Sequence, residues 1–360
     1  MIKLAYVINY ITNNGPSRVV LDIIKYLNKE KFDISLITLL PENDAEIIDS
    51  LQRSGIKIYE CKTLSRVKCL QGKCKEFNKI IGDNLFDIIH SHGIIPDILS
   101  SRVKISAKKV STIHNNMFED YLDSYGYIKS RIFIALHVAA LKKLDLCVCC
   151  SESVYDAIKR HLANITYIRN GIEPVKVRSV VTREELGVPS SARLFLYAGA
   201  LNTGKNVVWL IKNFVKYHNN DEYLLVLGQG DRESECHIAA DGHVKLLGFQ
   251  SDPAAYMQIS DVYTSASRSE GFSISVLEAI SMGLGLLLSD IPSHREIIDI
   301  CKDTYLGETF AYEDFEDKMG LLRQNSSRLC KDKISAFQKK VLSAQRMSLL
   351  YQQKYEMRER

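Results

Sequence analysis

The chain has 360 residues, a net charge of +4, 46% hydrophobic residues and 25% charged residues. This length predicts two domains, each large enough for its own core. The composition is that of an ordinary soluble globular protein, the mild charge gives no argument for nucleic-acid binding, and no apolar run is long enough for a membrane-spanning helix.

The nine cysteines are odd in number and form no Cys-x-x-Cys pairs, which predicts a reduced, cytoplasmic compartment. Cys147, Cys149 and Cys150 lie in an apolar run and are expected to pack as small hydrophobic residues. The apolar amino terminus, residues 1–8, is too short for a signal peptide and is interrupted by the turn-forming residues 13–16. It is therefore predicted to be a first buried strand.

In the first half of the chain, apolar strands alternate with helical segments. The predicted strands are 3–8, 33–39, 57–60, 87–91, 109–114, 144–150 and 166–168. The clearest helical periods are 18–27 and 127–144. Continuous rather than alternating apolar strands favour a parallel sheet covered by helices on both faces.

The second half repeats this pattern after a stretch of prolines and charges, residues 171–191, which predicts a linker with a short helix. The predicted strands that follow are 194–198, 223–227, 244–247, 261–264 and 286–289. The predicted organisation is α/β, with doubly wound domains at 1–170 and 192–342 and a terminal amphipathic helix within 343–360.

One segment carries the clearest pattern of a binding site. Residues 261–289 have the order strand, loop, helix, strand of a βαβ unit. Glu270 lies in the loop at the carboxyl end of a strand, where open α/β sheets bind ligands. Ser273 or Ser275 can cap the following helix, whose amino terminus favours anions, and Glu278 lies one turn into that helix. A carboxylate can accept hydrogen bonds from two vicinal hydroxyls, although glutamates at this spacing also occur by chance.

The segment from Glu270 to Glu278 resembles the Glu-x7-Glu signature of family 4 glycosyltransferases. The resemblance implies the GT-B fold, in which two Rossmann-like domains face each other across a cleft and the last helix crosses back to the first domain. Local packing of that helix is the alternative. The resemblance also implies that Glu270 contacts the donor sugar, that Glu278 binds the ribose hydroxyls, and that Gly271, Phe272 and Ser273 belong to the donor site.

A second segment resembles the same family. Gly199, Leu201 and Lys205 match its Gly-Arg-Leu-x-x-x-Lys pattern, whose Arg and Lys hold the donor pyrophosphate. Ala200 stands at the Arg position, so the resemblance implies one cation fewer unless Arg268 or another residue replaces it. The alternative for Lys205 is a solvated lysine at the start of a helix.

Weaker signals come from two glycine-containing loops and a histidine. Gly228 follows a buried strand and resembles the family segment near the nucleotide base, although a lone Gly-x-Gly is not specific. Gly15 and Pro16 resemble the loop over the donor phosphates and acceptor, with an ordinary turn as the alternative. His114 ends a strand where similar enzymes place a donor-contacting histidine, although a lone histidine is often structural. The histidines lack metal-ligand spacing and the family works without a bound metal, so no metal or cofactor is expected.

The resemblance implies a retaining glycosyltransferase that moves a sugar from a nucleotide-diphospho-sugar, with UDP favoured, to a hydroxyl of a glycan or lipid-linked acceptor. Catalytic roles are expected for Glu270, Lys205 and His114. One alternative is a sugar-nucleotide epimerase or hydrolase of the same fold. The other, suggested by Ala200, is an inactive sugar-nucleotide-binding subunit that supports a partner transferase.

A basic segment could bring the protein to a membrane surface. Residues 62–79 contain a single acid, Glu76, among several cations. This pattern predicts either a solvated helix face or a patch for anionic phospholipid, which would place a cytoplasmic enzyme of surface-polysaccharide biosynthesis on the cytoplasmic face of the inner membrane. The cations are Lys62, Arg66, Lys68, Lys73, Lys75 and Lys79.

Overall fold

The computed structural model describes residues 1–12, 14–41, 45–61, 74–301 and 303–357. The chain divides into two compact units. The N-terminal unit contains Met1–Gly171 together with Ala344–Arg360, and the C-terminal unit contains Ile172–Ser343. Each unit has a parallel sheet with helical connections, so the predicted α/β class with two Rossmann-like domains is confirmed.

In the described part of the N-terminal unit, parallel strands form one sheet in the order β3-β2-β1-β4-β5-β6-β7. The strands are β1 (Ile2–Ile8), β2 (Phe32–Thr38), β3 (Lys57–Glu60), β4 (Ile88–His92), β5 (Lys108–Ile113), β6 (Leu146–Cys149) and β7 (Ile165–Tyr167). The helices are α1 (Gly15–Tyr26), α2 (Ala45–Arg53), α3 (Lys75–Asn84), α4 (Ile94–Arg102), α5 (Met117–Leu141) and α6 (Glu152–Ile158).

In the C-terminal unit, the sheet order across the described strands is β10-β9-β8-β11-β12-β13, again with parallel pairs. The strands are β8 (Arg193–Ala198), β9 (Glu222–Leu227), β10 (Val244–Gly248), β11 (Val262–Ser265), β12 (Gly285–Ser289) and β13 (Gly307–Phe310). The helices are α7 (Val207–Tyr217), α8 (Glu233–Ala239), α9 (Pro253–Ile259), α10 (Ile274–Ser281), α11 (Pro292–Asp299), α12 (Phe315–Gln324) and α13 (Lys331–Val341).

The central strands are buried along nearly their whole length. Every residue of β4, β11 and β12 is buried, and so are the last five residues of β1. Burial of successive residues means that both faces of a strand are covered, as expected for sheets built from βαβ crossovers. Cys147, Cys149 and Cys150 are buried as well, as their apolar surroundings predict.

Two predictions made from the sequence are wrong. Strand β13 is not predicted because it is short, lies at the sheet edge and mixes polar with apolar residues. The short helix predicted within 171–191 is a turn, and from Ile172 onward this stretch is part of the C-terminal unit. There the guanidinium of Arg183 donates to the carbonyl of Ile259 over 2.7 Å and to the carboxylate of Asp261 over 2.9 Å.

The last helix, α14 (Ala344–Glu356), belongs to the N-terminal unit and packs along α1. Its tyrosines join a buried hydrogen-bond network. The Tyr355 hydroxyl lies 2.6 Å from Nδ1 of His90 and 2.9 Å from the Tyr6 hydroxyl. The Tyr351 hydroxyl lies 2.8 Å from Oγ1 of Thr112. Polar contacts therefore fix the position of this helix in addition to its apolar face.

No helix in the described ranges is long and apolar enough to cross a membrane. The predicted basic patch lies largely outside the described residues, since four of its cations fall within residues 62–73. The other two, Lys75 and Lys79, are exposed on α3.

Candidate active site

The order of the C-terminal sheet reverses between β8 and β11, which lie side by side in its middle. Open parallel sheets bind ligands outside the carboxyl ends of their strands at such a reversal. The loop after β8 carries Lys205, and the loop after β11 carries Glu270. The backbone N–H of Arg268 donates to the carbonyl of Gly204 over 2.9 Å, so the two loops are joined directly.

Lys205 and Glu270 form an ion pair in which Nζ lies 2.5 Å from Oε1. The same carboxylate oxygen accepts a hydrogen bond from the Ser267 hydroxyl over 2.8 Å. Burial disfavours the Glu270 carboxylate, but Lys205 and the hydrogen bonds outweigh burial and lower its pKa. The side chains are 11% and 32% exposed for Glu270 and Lys205, so a ligand can reach the pair.

A histidine that the sequence analysis missed lies near this pair. His294 is within electrostatic range of Glu270 and helps to lower the pKa of its carboxyl. Its Nδ1 lies 2.9 Å from the carbonyl oxygen of Ser289, which places the ring proton on Nδ1. Burial lowers the pKa of His294, while the neighbouring Glu270 carboxylate acts in the opposite direction. The signal in the sequence was a histidine at the start of the helix that follows β12, close to the carboxyl end of that strand.

Helix α10 begins beside Glu270, with Ser273 at its N-cap position. The predicted capping by Ser273 or Ser275 is wrong, because the Ser273 hydroxyl makes no hydrogen bond to the helix backbone and Ser275 lies inside the helix. The two hydroxyls lie 3.2 Å apart, and Ser275 accepts from the Tyr263 hydroxyl over 2.9 Å. Neither hydroxyl therefore caps the helix, whose amino terminus carries the positive end of its dipole. Glu278 is half-buried one turn along the helix.

Phe272 and Gly271, the remaining predicted donor-site residues of this loop, are buried between Glu270 and the helix start. The structure therefore brings together the predicted residues on the β11 side. Burial of Gly271 and Phe272 holds the backbone that carries Glu270. Contact of these two residues with a donor stays a prediction.

Gly199 and Gly228 allow the loops after β8 and β9 to pass close to each other. A Cβ atom at Gly228 would lie 1.8 Å from the carbonyl oxygen of Gly199, and the φ of Gly228 is +141°. A Cβ atom at Gly199 would lie 2.9 Å from the Tyr197 hydroxyl. Gly228 is thus required by packing, whereas a Cβ at Gly199 would meet only the end of the Tyr197 side chain. The donor contacts of both glycines stay predictions.

Ala200, at the position of the expected arginine, is exposed. Arg268 is exposed too, and its positive charge influences the pKa of Tyr312. Burial raises the pKa of the Tyr312 hydroxyl, and the positive charge of Arg268 partly offsets that effect. The Arg268 backbone is bonded to Gly204, in the same loop as Ala200.

The N-terminal sheet reverses its order between β1 and β4. A cavity of about 300 Å³ opens at the ends of these strands and is lined by Pro16, His92 and His114 among others. Gly15 is the first residue of α1, and the Asn14 side chain caps this helix by accepting from the backbone N–H of Ser17 over 2.9 Å. The predicted loop residue Pro16 and the predicted histidine thus line one cavity.

His92 and His114 contact each other, with Nδ1 of His92 lying 2.9 Å from Nε2 of His114. Burial lowers the pKa of His114 to about 4. Burial and the neighbouring histidines lower the pKa of His92 well below its usual value. Both rings are neutral at pH 7, so they can exchange hydrogen bonds with hydroxyls without adding charge to the cavity.

A buried polar chain at the cavity wall was also missed by the sequence analysis. The Asp97 carboxylate accepts from the Ser91 hydroxyl over 2.5 Å and lies 2.8 Å from Nε2 of His137. Nδ1 of His137 lies 2.7 Å from the Tyr121 hydroxyl, and Tyr121 and His137 line the cavity. These residues come from three elements, so no local pattern could predict their contact. Within the described ranges, no three His, Cys, Asp or Glu side chains form a group that could hold a metal ion.

Comparison with known proteins gives two adjoining family matches. The model described as "Glycosyltransferase Family 4" matches residues 13–176, and the model described as "Glycosyl transferases group 1" matches residues 181–339. The boundary between the two matches falls close to the boundary between the two units.

Two curated relatives come from Escherichia coli. The chain is 29% identical over 313 residues to the O-antigen biosynthesis glycosyltransferase WclY, with 82% of each chain covered. It is 24% identical over 368 residues to UDP-Gal:alpha-D-GlcNAc-diphosphoundecaprenol alpha-1,3-galactosyltransferase, with 92% of each chain covered.

Among solved structures, Anabaena HepE in complex with UDP and glucose has a TM-score of 0.78 at 14% identity, covering 98% of this chain and 99% of that one. WaaG, a glycosyltransferase involved in lipopolysaccharide biosynthesis, has a TM-score of 0.74 at 14% identity, with 98% and 99% covered. At this level of identity the likeness concerns the fold.

Proposed function

Because the chain belongs to glycosyltransferase family 4 and has the GT-B fold, we propose that it transfers a sugar from a UDP-sugar to a hydroxyl group with retention of configuration. The observation that carries this proposal is the Lys205–Glu270 ion pair at the reversal between β8 and β11. The pair supports the proposal because a cation suited to a diphosphate and a carboxylate suited to sugar hydroxyls lie at the edge where such sheets bind ligands.

The choice of UDP is supported by two similar proteins. HepE has been solved in complex with UDP, and the galactosyltransferase relative is named for a UDP-linked donor. In this proposal Glu278 accepts hydrogen bonds from the ribose hydroxyls, and the donor binds without a metal ion or other cofactor.

The proposed reaction forms a bond from the acceptor oxygen to the anomeric carbon and breaks the bond from that carbon to the diphosphate. The leaving diphosphate takes the proton of the acceptor hydroxyl on the same face of the sugar. Lys205, Arg268 and the start of α10 stabilise the negative charge that develops on the diphosphate. Glu270, released from Lys205 when the diphosphate binds, orients the sugar.

The acceptor in this proposal is a glycan or a lipid-linked glycan of a surface polysaccharide, handled at the cytoplasmic face of a membrane. The names of the two E. coli relatives, an O-antigen enzyme and an enzyme acting on a diphosphoundecaprenol-linked sugar, support this class. In the cavity of the N-terminal unit, the neutral His114 and Tyr121 offer hydrogen bonds to substrate hydroxyls.

The first test is calorimetric titration of UDP and GDP, with EDTA present, into the wild type and the Glu278→Ala variant. We expect UDP to bind without metal, and the variant to lose about 1.5–3 kcal/mol of binding free energy, the usual value of a hydrogen bond to a charged group. Arg268→Gln should also weaken UDP binding if Arg268 replaces the missing arginine.

Glu184→Ala is the matched control, since Glu184 is exposed in the same unit beside Arg183, which contacts the amino-terminal end of β11. Equal UDP affinity of the wild type and Glu278→Ala, or no binding of either nucleotide, would contradict the proposed donor site. Release of free sugar or an epimer from the donor without any acceptor would favour the hydrolase or epimerase alternative. A gain of turnover from nothing in Ala200→Arg would favour the inactive subunit.

A further inference from the structure

Helix α5 exposes an apolar stripe to solvent. Gly126, with φ +72° and ψ 174°, kinks this helix, and the stripe lies on the part that follows. Ile128, Ile132 and Leu136 are 75%, 56% and 37% exposed. Their spacing of four residues places them on one side of the helix, and Tyr127, which is 66% exposed, lies at its start.

The opposite side of the same helix is covered by the unit. Ser130 and His137 are buried, as are Ala140 and Leu141, and the helix packs on α4. The exposed stripe is therefore a second apolar side, additional to the one that folding of the unit buries. Contiguous exposed apolar surface of this kind is characteristic of a binding surface.

The charged residues on the segment that carries the stripe are all basic. Residues 124–144 contain no Asp or Glu. Lys129 and Arg131 are exposed, and at 100° per residue they fall on either side of the stripe. Lys142 and Lys143 are exposed just past the end of the helix. Arg131 also donates to the Tyr127 hydroxyl over 3.0 Å.

An aliphatic stripe bordered by tyrosine and cations matches the surface of an anionic bilayer, where acyl chains lie beneath phosphate headgroups. A second copy of this chain fits less well. A two-fold interface would place the patch against itself, so the cations of both copies would face each other across an apolar contact.

We propose that α5 docks the N-terminal unit on anionic phospholipid through Ile128, Ile132 and Leu136. This inference rests on the proposed function and extends it. The first turns of the same helix contribute Met117, Asp120 and Tyr121 to the cavity that holds His114, so the helix that lies on the membrane also lines the proposed acceptor cavity.

The test is co-sedimentation of the full chain with vesicles of phosphatidylglycerol and phosphatidylethanolamine, and with vesicles of phosphatidylcholine alone. We expect the wild type to partition onto the anionic vesicles, and the combined variant Ile128→Ser, Ile132→Ser and Leu136→Ser to partition at least about tenfold less. Lys129→Gln combined with Arg131→Gln should weaken binding to the anionic vesicles and reduce its dependence on salt.

The matched control is Val180→Ser combined with Ile238→Ser, two C-terminal-unit residues that are 87% and 84% exposed. It should bind vesicles like the wild type. Failure of the wild type to bind anionic vesicles, or equal binding by the triple variant, would overturn the proposal. A triple variant that loses self-association in analytical ultracentrifugation while keeping its vesicle binding would assign the stripe to a second copy instead.

Titration of UDP into the same variants separates this proposal from the proposed function. Normal UDP affinity without vesicle binding rejects the docking surface and leaves the transferase intact. Vesicle binding that depends on the stripe, without any UDP affinity, retains the docking surface and rejects the donor site.

Discussion

Single residues fix the geometry of the candidate donor site through backbone packing as well as through charge. The loop that carries Lys205 passes within van der Waals contact of the loop after β9, and this approach requires that Gly228 have no side chain. A residue that sequence reasoning assigns to ligand binding can therefore be constrained by folding alone.

The first prediction concerns this crossing, the close approach of the loops after β8 and β9 at Gly228. Gly228→Ala should destabilise the C-terminal unit by about 3 kcal/mol or more, because the new Cβ would overlap the Gly199 carbonyl and because φ is in a region that L-residues rarely adopt. Chemical denaturation measures the change. Gly242→Ala is the control, since its Cβ would meet nothing within 4 Å, and it should change stability by less than about 0.5 kcal/mol. Equal stability of the two variants would show that the crossing can relax.

At the scale of elements, α14 is held on the N-terminal unit by hydroxyl groups as well as by apolar contacts. Tyr355 is 4% exposed, and its hydroxyl joins His90 of β4 to Tyr6 of β1. Buried polar groups of this kind specify one docking position, because any shift leaves several of them without partners.

Tyr355→Phe should therefore destabilise the N-terminal unit by about 1–3 kcal/mol, since it leaves polar atoms of His90 and Tyr6 buried and unpaired. Tyr10→Phe, at a tyrosine of the same unit that is 42% exposed, is the control and should be nearly neutral. Denaturant midpoints measure both, and hydrogen exchange of α14 should accelerate in the Tyr355 variant alone. Unchanged exchange there would mean that the apolar contacts are sufficient to hold the helix.

At the scale of the whole molecule, the buried histidines link stability to pH. Burial lowers the pKa of His90 to about 3 and that of His114 to about 4, whereas an unfolded histidine titrates near pH 6.5. Between these values the unfolded chain binds more protons than the folded one. Stability is therefore complete above about pH 6.5 and is lost as the pH falls.

We expect the thermal midpoint to fall between pH 6.5 and pH 4.5, with each such histidine contributing up to about 1.4 kcal/mol per pH unit. The histidines dominate the pH dependence in this window. The lowered pKa of Glu270 also contributes stability, but that stability is lost only at lower pH, within and below the range in which an ordinary carboxyl titrates. His90→Gln should flatten the pH dependence, and the exposed His237→Gln should not. Identical slopes for the two variants would contradict the assignment.

Local patterns were sufficient for much of this protein. Continuous apolar runs predicted the strands of both sheets apart from β13, and a carboxylate after a strand end followed by a helix start led to Glu270 and Glu278. These features can be read from the sequence because strand burial, helix capping positions and loop chemistry depend on residues close together in the chain.

Contacts between residues far apart in the sequence were decided only by the tertiary structure. Lys205 and Glu270 are 65 positions apart and form an ion pair only because the sheet order places β8 beside β11. The same holds for the Asp97–His137–Tyr121 chain at the cavity wall. Helix α5 is apolar on two sides, and its packing on α4 determines which of them is left exposed. Sequence periodicity gives the faces of an element, but the sheet order and packing partners set which faces meet and which remain for a ligand or a membrane.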